Sequence, residues 1–343
     1  MPPTSEDRSP AEVRDLLDRP LRDLRVSVTD RCNLRCRYCM PREHFGPGAA
    51  FLPRSEILSF EEIAEVVEAG LPLGLRKVRI TGGEPLLRRE LPELIRQLRR
   101  FPVELALTTN GHRLSTLASQ LAQAGLHRVS VSLDALEPGL YSRITDSPSS
   151  VDQVLAGIDA AEAAGLTPVK INAVVRRGCN EAQALPLVER FLGRKATVRF
   201  IEFMDVGATN GWDPNAVVTG AEIRRAIEKR FVLEPVSGEP VGAVAERWRI
   251  AGTDQEVGFI NSVTRPFCRG CTRLRLSANG RVHRCLFASE GFDLRAVLRS
   301  PRRPGMLTET LAALWRGRGD RYSELRARGA APTGRPEMSY LGG

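Results

Sequence analysis

Six short apolar runs separated by amphipathic stretches fill the first two thirds of this chain, and that alternation leaves few folds open. The runs are Arg25–Thr29, Lys77–Thr81, Glu104–Thr108, Arg128–Leu133, Val169–Val175 and Thr197–Met204. Between most of them lie stretches of helical period, namely Phe60–Ala69, Leu91–Arg100, Leu114–Ala124, Val151–Ala164 and Glu181–Phe191. Gly70, Gly125 and Gly165 stand where a helix end favours a left-handed cap. Strands and helices in turn make parallel βα units, because a parallel connection needs a crossover long enough to hold a helix. The spacing suits a barrel or part of one, in which chemistry gathers at the C-terminal ends of the strands. The segments at those ends are furnished accordingly. Cys32–Cys39 follows the first strand, Gly82-Gly83-Glu84-Pro85 the second and Thr108-Thr109-Asn110-Gly111 the third, while Asp134 follows the fourth and Met204-Asp205 the sixth.

The cysteines narrow the chemistry. Cys32, Cys36 and Cys39 are spaced Cys-x3-Cys-x2-Cys, with Tyr38 before the third. A structural zinc site takes four protein ligands. In a cubane iron–sulfur cluster each of the four irons takes a thiolate, so three cysteines leave one iron open for substrate or cofactor. Two other readings of these residues stand beside this one: buried small residues on one face of a helix, and a zinc site completed by His44. The neighbours Arg31, Asn33, Arg35 and Arg37 suit a core helix poorly.

A second set, Cys268, Cys271 and Cys285, lies near the other end as Cys-x2-Cys-x13-Cys. Asn279-Gly280 between alternating residues predicts a two-residue hairpin turn, which pairs Cys285 with Leu274 and returns it to Cys271. A zinc knuckle using His283, or a redox Cys-x2-Cys pair plus a stray cysteine, are the alternatives. Cys179 has no nearby partner and reads as an ordinary free thiol.

The chain has 343 residues and a net charge of +9, enough for one large domain plus a smaller region and suggestive of an anionic partner. Its positive residues are scattered, so no nucleic-acid stripe is evident. No apolar run is long enough for a membrane span. Clustered cysteines without a secretory signal fit a reducing cytoplasm. Residues 1–20 read as a loose arm, 21–240 as the βα region, and 241–343 as a smaller region. In that last region Glu246–Ile250, Glu256–Ile260, Leu274–Ser277 and Arg281–Leu286 read as short antiparallel strands covering the barrel mouth. The Arg-rich stretch from Ser300 to Ala331 reads as either phosphate-binding or plain surface.

Cys-x3-Cys-x2-Cys with a preceding aromatic, followed by Gly-Gly-Glu-Pro after the next strand, resembles the radical S-adenosylmethionine (SAM) enzymes. The second cysteine set enclosing Arg273-Leu274-Arg275, together with the terminal Gly342-Gly343, is similar to the GTP 3′,8-cyclase family of molybdenum cofactor biosynthesis, from about Pro20 onward. The resemblance implies an α/β fold, a partial (β/α)6 TIM-like barrel with a smaller C-terminal region, and two [4Fe–4S] clusters with SAM. Cys32, Cys36 and Cys39 would hold the SAM-binding cluster, and Tyr38, Gly83, Thr108, Ser132 and Met204 would line SAM. Cys268, Cys271 and Cys285 would hold the second cluster, facing the guanine of GTP. Arg25, Arg79, Lys170, Arg273, Leu274 and Arg275 would contact the nucleotide, and Gly342 and Gly343 would reach into the active site.

The implied reaction takes hydrogen from C3′ of GTP through a 5′-deoxyadenosyl radical and joins C3′ to C8. The product is (8S)-3′,8-cyclo-7,8-dihydroguanosine 5′-triphosphate. The same resemblance implies a hand-off to cyclic pyranopterin monophosphate synthase, with no nucleic-acid or membrane partner, and a monomer or homodimer. The sequence supplies its own rationale for the cations: it lacks a Gly-x4-Gly-Lys-[Ser/Thr] loop, so a triphosphate must be held by side chains. A radical SAM enzyme acting on a peptide, and a zinc-stabilised nucleic-acid-binding protein, are the competing functions.

Overall fold

The computed structural model describes residues 12–238, 242–326 and 334–342. The barrel strands are β1 (Asp23–Ser27), β2 (Lys77–Thr81), β3 (Glu104–Thr109), β4 (Arg128–Ser132), β5 (Val169–Val175) and β6 (Ala196–Glu202). Six further strands follow: β7 (Leu233–Pro235), β8 (Glu246–Ile250), β9 (Glu256–Ile260), β10 (Arg273–Leu276), β11 (Arg281–His283) and β12 (Phe292–Asp293). All twelve belong to one sheet, in the order β12-β11-β10-β1-β2-β3-β4-β5-β6-β9-β8-β7. From β1 to β6 every neighbour is parallel. This is the partial barrel.

The barrel strands alternate in character because their two faces differ. Val26, Ile80, Leu107, Val131, Ile171 and Val198 are buried on the outer face, against helices that present Ile63, Leu94, Leu121, Ile158 and Leu187. Burying each such side chain contributes about 1.5–3 kcal/mol. The intervening positions face the lumen and are mostly polar, with Ala106, Val174 and Ile201 as exceptions. Helix starts are well specified: Ser59 with Glu62, Ser150 with Gln153, and Thr219 with Glu222 each form a reciprocal capping box. Gly125 (φ 107°) and Gly165 (φ 79°) are left-handed as expected, but Gly70 is not. The helix Phe60–Gly70 runs on into a 3-10 turn, and Gly74 (φ 103°) supplies the left-handed residue.

Three expectations about the chain ends are corrected. Only residues 1–11 of the expected loose arm 1–20 lie outside the described residues. From Glu12 onward the segment is packed, with Val13 bonded to Leu73 and both Asp15 and Arg19 buried. The C-terminal strands do pair antiparallel as expected, β8 with β9 and β10 with β11, but they do not stand apart from the barrel sheet. β9 runs parallel to β6 and β10 parallel to β1, so the region extends both edges of the barrel sheet, and its β8–β7 hairpin begins before residue 241. An exposed edge strand leaves backbone groups unpaired, and these additions satisfy them. Finally, the hairpin register is one residue off the two-residue prediction. Arg275 pairs with His283, and a three-residue turn ends at Gly280 (φ 79°). Leu274 therefore aligns with Arg284, one residue short of Cys285. Among the described residues no helix is long and apolar enough to cross a membrane.

Candidate active site

After β1 the chain turns across the barrel mouth and is knitted to the loop after β2. Gly83 N–H donates to the Thr29 carbonyl at 2.8 Å and Glu84 N–H to the Arg31 carbonyl at 2.7 Å. A Cβ on Gly83 would stand 2.3 Å from the Arg31 oxygen, so glycine is what lets these loops touch. The Glu84 carboxylate accepts from Leu86 N–H (2.9 Å), Thr109 Oγ1 (2.7 Å) and Asn110 N–H (2.7 Å). Asn110 in turn donates to Asn33 at 2.9 Å and reaches the Cys32 sulfur at 3.9 Å. One buried acid thus ties the loops after β1, β2 and β3 into a single cradle.

Cys32, Cys36 and Cys39 lie in this cradle on irregular backbone, so the core-helix reading does not hold. All are free thiols. Burial, and then Glu84, pushes Cys32 up to about 11, while burial, and then Cys32, pushes Cys39 up to about 12. Burial also raises Cys36. As thiolates these sulfurs need a positive centre, which iron supplies. Among the described residues no three His, Cys, Asp or Glu side chains form a ready-made single-ion site. A four-iron cluster takes each thiolate on a different iron and suits wider spacing.

The second set differs from the first at one sulfur, for burial raises Cys285 as it raises the first triad, whereas Cys271 is lowered. Cys268 opens a 3-10 turn, and Cys271 N–H donates back to its carbonyl at 3.1 Å. Burial pushes the Cys271 thiol up, but the charges of Arg273 and Arg318 overcome this and bring it down to about 6. Cys285 returns on the far side of the hairpin, close enough for Cys271 to act on its charge. Its neighbour His283 meets the edge of Tyr340 at 6.0 Å, and burial, then Arg275, pushes it down to about 4. Cys179 is exposed and free.

Between the two sets the lumen is cationic. Strand register places Arg25 beside both Arg79 and Arg275. Burial, then Arg275, Arg273 and Arg79, pulls Arg25 well below the usual guanidinium range. Arg79 donates to Thr108 Oγ1 (3.0 Å) and Ser130 Oγ (3.2 Å). On the opposite wall burial, then Arg199, brings Lys170 down to about 7. Buried cations without matching carboxylates are costly, and an anionic ligand relieves them.

This geometry agrees with what known proteins share with the chain. Residues 26–191 match the Radical SAM superfamily and residues 196–324 match Molybdenum Cofactor Synthesis C. A GTP 3′,8-cyclase of Acidothermus cellulolyticus is 49% identical over 96% of this chain and 99% of its own length. One from Staphylococcus epidermidis is 44% identical, with 96% and 99% covered. The chain belongs to the GTP 3′,8-cyclase family. Among solved structures, Streptococcus suis SuiB bound to SAM superposes with a TM-score of 0.61 at 15% identity, covering 92% of this chain and 69% of that one. That likeness concerns the fold alone. Membership in the family implies an iron–sulfur cluster and SAM as cofactors.

The residues that the resemblance gives to SAM come from separate loops and strand ends. Tyr38 donates to Asp134 at 2.6 Å, Ser132 ends β4, and Met204 follows β6. Thr108 accepts from Arg79 at 3.0 Å. Arg25 lies within charge range of Arg79, Arg273 and Arg275, and Lys170 within charge range of Arg79. Leu274 differs: alternation turns its side chain into the hydrophobic core, leaving only its backbone for a ligand. Gly342 reaches the lumen, where its carbonyl accepts from Arg275 Nη1 at 2.6 Å, and Gly343 lies outside the described residues.

Sequence reasoning passed over Arg199. It is half-buried, bonded to Asn172 Oδ1 at 3.0 and 2.7 Å, and brought down to about 9 by desolvation, then Arg79. The available signal was a polar alternation, Lys170-x-Asn172 and Thr197-x-Arg199, in strands of a parallel sheet that ordinarily read as continuous apolar runs. Glu84 was read only as part of a motif, and its role as a clamp depends on partners from other loops.

Proposed function

We propose that this chain is a radical SAM GTP 3′,8-cyclase, a lyase that acts on GTP in the first step of molybdenum cofactor biosynthesis. One observation carries the reading: two cysteine triads lie either side of a lumen lined by Arg25, Arg79, Lys170, Arg199, Arg273 and Arg275. When bound, a [4Fe–4S] cluster on Cys32, Cys36 and Cys39 with SAM supplies a 5′-deoxyadenosyl radical, and a second on Cys268, Cys271 and Cys285 supplies an open iron for the guanine.

The residues of the chain do the rest. Arg25, Arg79, Lys170 and Arg199 hold the triphosphate by charge-assisted hydrogen bonds, which are shorter and stronger than neutral ones. Arg273 and Arg275 orient the nucleotide between the triads, and Gly342 approaches it closely because it has no side chain. Tyr38, Gly83, Thr108, Ser132 and Met204 shape the SAM site. Fixed side chains and the enclosing barrel exclude water and set C3′ of the ribose for hydrogen loss and bonding to C8. The product passes to cyclic pyranopterin monophosphate synthase, and the chain works in the cytoplasm as a monomer or homodimer.

The test is anaerobic turnover with SAM, a strong reductant and GTP deuterated at C3′. Deuterium is expected in the 5′-deoxyadenosine. Cleavage of SAM without deuterium transfer would replace GTP with another substrate, and an iron-loaded protein that leaves SAM intact would overturn the reading.

A further inference from the structure

Arg318 lies in the Arg-rich stretch whose role the sequence leaves open, and it is neither surface nor a phosphate ligand. It is 1% exposed, and its guanidinium is committed on every side. Nη2 donates to the Cys271 sulfur at 3.0 Å, and Nη1 to the Cys271 carbonyl at 2.8 Å and to Asp15 Oδ2 at 3.2 Å. Nε donates to the Arg284 carbonyl at 2.8 Å, and the plane lies 4.6 Å from the centre of the Trp315 ring. A group so fixed cannot swing toward a nucleotide. What it does is hold a full positive charge and an N–H against one cysteine sulfur. At Cys32 the donors are neutral, the Leu34 N–H at 3.4 Å and the Asn110 amide at 3.9 Å.

Resting on the reading that Cys268, Cys271 and Cys285 hold a cluster, we propose that Arg318 is a positioning residue that raises the reduction potential of that cluster by donating to the Cys271 sulfur. Taking up one electron adds negative charge that is shared with the cysteine sulfurs. A buried cation hydrogen-bonded to one of them therefore favours the reduced state, and hydrogen bonding to sulfur and burial are the levers by which proteins tune such centres.

The test is a redox titration followed by electron paramagnetic resonance on the reconstituted full-length protein. A background with Cys32, Cys36 and Cys39 all changed to Ser isolates the second cluster, and the otherwise unaltered protein gives the first. Arg318→Met is expected to shift the one-electron equilibrium of the second cluster about tenfold toward the oxidised form, about 59 mV more negative. The first cluster should not move, and Arg318→Lys should recover part of the shift. Arg318→Gln, which keeps a neutral donor, serves if the Met variant fails to load iron. An unmoved second-cluster potential in any loaded neutral variant overturns the inference, as do equal shifts in both clusters. Failure of all three variants to load would make Arg318 a folding residue and overturn it too. If the Ser background itself binds no iron at Cys268, Cys271 and Cys285, the two-cluster reading fails instead.

Discussion

Glu84 is where one substitution tests how the first cysteine loop is held. The side chain is 1% exposed, and burial pushes its pKa up. It is held in place by three donors, Leu86 N–H, Thr109 Oγ1 and Asn110 N–H. Glu84→Gln replaces one acceptor oxygen with an NH2 group. Either orientation sets a donor against a donor, at Asn110 or at Leu86, and leaves a buried N–H without a partner. A hydrogen bond to a charged group contributes about 1.5–3 kcal/mol, and an orphaned buried donor costs about 1–3 kcal/mol. Removing a buried charge offsets part of this loss, so the net destabilisation expected is about 2–3 kcal/mol. At about 2 °C per kcal/mol for a large domain, Tm of the iron-free protein falls by about 5 °C. Asn110 loosens with it, so after anaerobic reconstitution iron should be lost from Cys32, Cys36 and Cys39 and kept at the second set. Thr109→Val, which removes a single donor, should cost about 1 kcal/mol. A Glu84→Gln protein with full iron at both sets and a Tm within about 1 °C of the unaltered protein would refute the reasoning.

Three further predictions follow from the same geometry. Lys170 is brought down to about 7 by burial and then Arg199, against an ordinary lysine value of about 10.4. Between those values the unfolded chain binds more protons, so the stability of the ligand-free protein should rise with pH across that window, by at most about 1.4 kcal/mol per unit. A triphosphate beside the amine restores its proton, so GTP binding above pH 7 should take up as much as one proton. Calorimetry in two buffers of different ionisation enthalpy detects this, and identical heats for the unaltered protein and Lys170→Met would refute it. Gly83→Ala places a methyl against the Arg31 backbone, and iron analysis should show the first set depleted; full loading would show that the loops can part. Removing Gly342 and Gly343 takes away the carbonyl that Arg275 holds. Fold and iron content should persist while turnover drops by an order of magnitude or more, and a fully active trimmed chain would refute a role for the tail.

Much of this architecture was legible because it is local. Period-two and helical patterns place the six barrel strands and the helices between them to within a few residues, and cysteine spacing marks both triads before any folding is considered. The glycine caps show the limit even of local rules. Gly125 obeys, whereas at Gly70 the helix continues as a 3-10 turn and Gly74 takes the left-handed position. The Asn279-Gly280 turn was found in the right place, but its length, three residues and not two, was set by Ser277, which bonds Arg281 on both backbone and side chain.

What the sequence determined alone is the kind of protein: a parallel βα barrel with thiols at its strand ends and cations enough for an anionic ligand. What only the tertiary structure decided is which of those groups act together. Arg25, Arg79 and Arg275 become neighbours through the pairing of β10 with β1, a contact spanning most of the chain. Arg199 joins them because the barrel closes its far wall around the same lumen, and Arg318 joins Cys271 because residues near 15 and 318 are buried together. The physical reason is the same in each case. A side chain's periodicity fixes which way it points, but its electrostatic environment is made by residues that meet it only after long-range strand pairing.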